Sequence, residues 1–194
     1  MLDFTPLRNG DTTMADLTAR LRVHDLRDLT NEMIDLQRAA IAQSSDADVT
    51  SVSADPAAND TFAPAGSDAG VVTLPWTLGH VIVHVTASSE EGAALALTLA
   101  RGLPVTGRSR YETPWETVTT VAQLVQRLEE SRRMRLALLD AWPDQPHLDN
   151  ADTPIPQFGP LNPVARFVLG LSHDQSHVDQ IQDIVAQAKA ARGA

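Results

Sequence analysis

Apolar residues recur at three- and four-residue steps in four long stretches of this chain, which predicts four amphipathic helices. In residues 13–43 the stripe is Leu26, Leu29, Met33, Leu36 and Ala40, and Asp11, Thr12 and Thr13 are candidate caps at its start. A second helix is predicted over residues 77–101, just after Leu74-Pro75-Trp76. Its Leu78, Val81, Ile82 and Val85 lead into an Ala/Leu-rich half that stops at Arg101-Gly102. The third, over 119–142, places Val121, Val125, Leu128, Leu136 and Leu139 on one face and ends before Pro143. The fourth, over 163–191, opens on Pro163, a residue suited to a first helical turn. It carries Val164, Phe167, Val168, Leu171, Val178, Ile181 and Val185 on its stripe. Strand patterning is scarce, so the expectation is an all-α four-helix bundle formed as a single domain of 194 residues.

The connections are unequal. Residues 44–70 hold five aspartates, no lysine or arginine and few large apolar groups. So little burial cannot offset the cost of ordering them, and a long, mobile acidic loop is expected between the first and second helices. Residues 102–114 and 143–163 read as shorter loops, the latter with a small hairpin or extended piece at 153–158.

Composition narrows the chemistry. Fifteen basic against 25 acidic residues give a net charge of -10, which argues against nucleic acid or anionic lipid as a partner. No window has the length and apolarity of a membrane span or a signal segment, so a cytoplasmic location is expected. The chain has no cysteine, which removes disulfides, thiolate metal sites and a cysteine nucleophile.

Six histidines remain, and four fall into two pairs spaced i, i+4: His80 with His84, and His173 with His177. Chance placement of six histidines predicts roughly 0.16 such pairs. Two rings one helical turn apart can bite a single ion, and bundle interiors assemble such sites from facing helices. The alternative is two solvated pairs on helix surfaces. By helical angle, His84 lies nearer its apolar stripe than His80, and His177 nearer than His173. Asp174 lies closer still. It reads either as a ligand or acceptor for an imidazole N–H, or as an exposed helix residue.

Two motifs resemble a known family. Trp76-Thr77-Leu78-Gly79-His80-Val81-Ile82-Val83-His84 is similar to the DinB-like segment in which a tryptophan precedes the first metal-binding histidine by eight residues. His173-Asp174-Gln175-Ser176-His177-Val178-Asp179-Gln180-Ile181 resembles the closing motif of that superfamily, and Phe158-Gly159 its lead-in. The resemblance implies a four-helix bundle with a long first connection and a divalent metal, zinc or nickel, held by His84, His173 and His177. His80 is then not a ligand. Where many members carry a further histidine, this chain has Ser176.

The superfamily includes mycothiol-dependent maleylpyruvate isomerase-like proteins and other enzymes that use mycothiol, bacillithiol or glutathione. It therefore implies a metal-dependent transferase or isomerase acting on a small-molecule substrate with a low-molecular-weight thiol. Three neutral ligands leave a position open on the ion, as catalytic sites do. Asp174 and Arg132 are the candidate catalytic residues. Arg132, on the stripe of the third helix, either binds an anionic cofactor or substrate or lays its stem along the bundle. A second reading is a stress-associated metal-binding homodimer without turnover. A third is a metal-dependent hydrolase with Asp174, Glu90 or Glu91 as general base. Trp76, Trp115 and Trp142 read as plugs at the core edge, with Trp76 also placed to wall a pocket. His24 and His147 have no partner at metal spacing.

Overall fold

Three of the long helices begin at a residue whose side chain ties down the first free N–H groups. Thr77 Oγ1 accepts the His80 N–H at 3.1 Å, and Asn162 Oδ1 accepts the Ala165 N–H at 2.9 Å. At Thr120 the exchange is reciprocal: its hydroxyl accepts from Gln123 N while Gln123 Oε1 accepts from Thr120 N at 3.0 Å. The computed structural model of the protein describes residues 1–51, 76–107 and 111–193. In order they form α1 (Thr5–Asn9), α2 (Met14–Thr18), α3 (Val23–Ile41), α4 (Asp46–Val49), α5 (Leu78–Ala100), α6 (Val121–Asp140), α7 (Pro163–Ser176) and α8 (Val178–Arg192). Single 3₁₀ turns lie at Trp115–Thr117 and Pro156–Phe158.

Cross-helix pairs fix the topology. Arg38 meets Glu129, Arg132 meets Asp35 and Arg27 meets Asp140, so α3 and α6 are antiparallel. Arg127 pairs with Glu90 while Arg101 reaches the Ala141 carbonyl, so α5 and α6 run parallel. Ser89 meets Gly170 and Asp174, and His84 meets His173, which makes α7 antiparallel to α5. The bundle is ordered α3, α6, α5, α7–α8 around its axis, with directions up, down, down and up along the chain. Among the described residues there is no strand, and an isolated antiparallel bridge joins Asp152 and Leu161 inside the 143–163 connection.

Local chemistry explains each departure from the predicted boundaries. The expected first helix over 13–43 is two helices. Thr13 does cap α2, but Arg22 is extended and the Asp25 carboxylate accepts its N–H at 2.7 Å, starting α3 afresh. The expected fourth helix is interrupted at His177. There Ser176 Oγ donates to the His173 carbonyl at 2.7 Å, and the His177 N–H turns to Asp174 O, an i−3 contact of 3₁₀ type. Within the expected 44–70 loop, residues 52–70 lie outside the described residues, but Asp46–Val49 are helical. Asp48 and Val49 are fully buried, and Arg192 donates to Asp48 from its Nε at 2.6 Å and its Nη2 at 2.9 Å.

The core is in two parts. Phe4, Met14, Leu26, Met33, Ala96, Leu139, Phe167 and Val168 fill one end, and Ile34, Leu78, Val81, Ile82, Leu124, Leu128, Ile181 and Ile184 fill the other. Between them α5, α6 and α7 present a buried polar layer of Ser89, Ser131, Arg135 and Asp174. The histidines sit at the edge of that layer.

Candidate metal centre

His84 projects from the second turn of α5, His173 from the last turn of α7, and His177 from the junction with α8. Because α5 and α7 are antiparallel neighbours, the i, i+4 pair of one meets a ring of the other. Each of the three rings offers a nitrogen within 4.8 Å of the other two, the one such grouping found among the described residues. His84 and His177 are buried, and His173 is half-buried.

The donor set fits a divalent ion. His84 Nε2 and His173 Nε2 are 3.2 Å apart. Two nitrogens each bound at about 2.0–2.1 Å stand roughly 2.9 Å apart at a right angle and 3.4 Å apart at a tetrahedral one, so the separation suits a shared ion. The same distance serves as an imidazole–imidazole hydrogen bond when one nitrogen carries a proton. Two of the outward nitrogens face acceptor oxygens: His84 Nδ1 lies 3.2 Å from Glu112 Oε1, and His177 Nδ1 lies 2.5 Å from Gln180 Oε1. Three imidazoles with no thiolate or carboxylate among them suit zinc or nickel rather than magnesium or calcium.

His80, one turn before His84, does not join the cluster. Its ring is stacked between Trp76 at 4.2 Å and Trp115 at 4.9 Å, both at 13° between planes. Trp76 stacks in turn on His177 at 5.9 Å and meets His84 edge-on at 4.7 Å. The tryptophan ahead of the second helix therefore walls two rings of the cluster.

The candidate catalytic residues do not join the cluster. Asp174 points into the polar layer, where Arg135 Nη1 donates to Oδ2 at 2.8 Å and Ser89 Oγ donates to Oδ1 at 2.6 Å. Burial pushes its carboxyl above the ordinary aspartate range, against the opposing pull of Arg135 and Ser89. It is neither an exposed residue nor an acceptor for an imidazole. Arg132 lies between α6 and α3, bonded to Asn31 Oδ1 at 3.2 Å, Asp35 Oδ1 at 2.5 Å and Glu129. Glu90 is held by Arg127, with burial raising its carboxyl above the usual range against that arginine's pull, and Glu91 is buried. His24 pairs with Asp28 on the surface, and the His147 ring packs against Gly102, whose positive φ ends α5.

Two residues near the centre carried no weight in the sequence. Glu112 lies in an unpatterned loop, where no spacing rule points at His84. Arg135 does fall on the buried face of α6 with Leu124, Leu128, Ser131 and Leu139, but a stripe drawn through apolar residues alone passes over it.

An all-helical bundle whose facing helices bring three imidazoles together presents a candidate site for a divalent ion. A family model described as the DinB superfamily matches residues 61–181, a span that includes all three histidines, and the chain belongs to that superfamily. No curated protein and no solved structure matches the chain. No helix among the described residues is long and apolar enough to cross a membrane.

Proposed function

We propose that the protein is a divalent-metal-dependent enzyme of the DinB superfamily that joins or isomerises a small-molecule substrate with the help of a low-molecular-weight thiol. The observation that carries this reading is the convergence of His84, His173 and His177, three neutral nitrogen donors with no fourth protein ligand among the described residues. A zinc or nickel ion held there would supply Lewis acidity that lowers the pKa of a thiol. With no cysteine in the chain, that thiol arrives as a small molecule.

The protein's own groups divide the remaining work. Trp76 packs on two of the rings and keeps water from that side. His84 and His177 are buried, and His173 is the partly exposed ring of the cluster. A hydrolytic reading is less well supported, because both oxygens of Asp174 and the carboxylate of Glu90 are held by arginine or serine partners. The test is thiol consumption by the zinc- or nickel-loaded protein. Glutathione, mycothiol and bacillithiol are each paired with maleylpyruvate or an activated aryl halide. At least one pairing should turn over, and His84→Ala should abolish it. Full activity and full metal content in His84→Ala would sink the reading.

A further inference from the structure

We propose that Glu112 is the positioning carboxylate of the histidine cluster, accepting the Nδ1–H of His84 and so turning the lone pair of Nε2 towards His173 and His177. This rests on the reading of the cluster as a metal site. A neutral imidazole exists as two tautomers, and only the Nδ1–H form offers Nε2 as a ligand. An acceptor fixed at Nδ1 selects that form before any ion arrives and raises the basicity of the other nitrogen.

Three observations converge on Glu112. Its Oε1 lies 3.2 Å from His84 Nδ1, on the side of the ring away from His173. The ring is further held edge-on by Trp76 at 4.7 Å, which limits its rotation. The arrangement is repeated at His177, whose Nδ1 lies 2.5 Å from Gln180 Oε1. Two rings of the cluster thus have their outer nitrogens on acceptor oxygens, one neutral and buried, the other anionic with its side chain 39% exposed. Glu112 also belongs to the connection that carries Trp115, and Trp115 stacks on His80 at 4.9 Å. One stretch of chain therefore sets two rings of α5, one turn apart.

The roles of charge and hydrogen bond separate in two variants. Glu112→Ala removes both, whereas Glu112→Gln keeps an acceptor oxygen and loses the charge, as Gln180 does at His177. The first readout is the tautomer of His84 in the metal-free protein, taken from long-range ¹H–¹⁵N spectra at about pH 8.5, above the ordinary histidine range. The second is the Kd for Co²⁺, followed by its visible absorption. The wild type should show His84 as Nδ1–H, and Glu112→Ala should shift it towards Nε2–H. Glu112→Ala should also raise the Kd roughly 10–100-fold, with Glu112→Gln restoring the tautomer and part of the affinity. A loop substitution at an exposed residue should leave the helical circular dichroism unchanged.

His84 in the Nε2–H form in the wild type, or no change of tautomer in Glu112→Ala, overturns the proposal. So does a changed tautomer with an unchanged Kd. If the wild type binds no Co²⁺, the metal reading falls, while the tautomer of His84 still decides whether Glu112 positions the ring.

Discussion

The buried pair of Arg135 and Asp174 gives the sharpest test of how the polar layer is held. Both side chains are 1% exposed and joined at 2.8 Å across the bundle, from α6 to α7. Replacing Arg135 by Met keeps most of the volume and strands the Asp174 carboxylate with Ser89 as its one remaining hydrogen-bond donor. Breaking a buried pair by removing one partner costs about 3–5 kcal/mol. Against that, Arg135 Nε and Nη2 make no hydrogen bond in the native state, and removing them relieves a desolvation cost of about 1–2 kcal/mol. The net loss should be about 1–4 kcal/mol. At about 2–4 °C per kcal/mol for a chain of this size, that lowers the Tm by roughly 2–16 °C.

The pH dependence follows from the same pair. Loss of Arg135 raises the folded-state pKa of Asp174 further, so its ionised form is disfavoured in the fold. The unfolded-state value is common to both proteins, so the stability difference should be smallest where Asp174 is protonated in both folded states and should widen as pH rises through the wild-type folded value, which lies above the ordinary aspartate range. Urea unfolding at about pH 4 and pH 7 measures both effects. The double variant Arg135→Met/Asp174→Leu should recover most of the loss at pH 7. A loss under about 1 kcal/mol at pH 7, or a double variant no better than the single, would refute the reasoning.

Two further predictions follow from the packing. Asp48 is held below the ordinary aspartate range: burial pushes it up, but the Ser45 N–H and the Arg192 guanidinium outweigh that. Its contribution is therefore present above the unfolded pKa near 4 and lost as pH falls through the folded value. Arg192→Ala should cost about 1 kcal/mol at pH 7 by urea unfolding and progressively less towards pH 3, since that arginine is partly exposed. Trp76 lies against His84 and His177, so saturating Ni²⁺ should quench a large part of the tryptophan emission, and Trp76→Phe should remove that response.

Much of the bundle was legible because apolar periodicity is a local signal. The apolar stripes read over 77–101, 119–142 and 163–191 fall on α5, α6 and α7–α8, and the two histidine pairs declare themselves by spacing. The breaks at residues 19–22 and at His177 were not legible. In each place a single side chain, Asp25 or Ser176, competes with the helix for a backbone group, while the apolar periodicity continues on either side. Asp48 misled for a different reason. Its burial depends on Arg192, 144 residues away, and composition read over a window cannot register a partner at that distance. Arg135 was hidden by the assumption that a buried face is apolar, an assumption that fails where a bundle buries an ion pair.

The central claim is that His84, His173 and His177 hold one divalent ion. It is tested most directly by the metal-to-protein ratio after loading with Zn²⁺ or Ni²⁺ and exhaustive dialysis, measured beside His173→Ala. The account predicts about one ion per chain in the wild type and a small fraction of that in the variant. Less than about half an ion per chain in the wild type, or equal content in the two proteins, would contradict it.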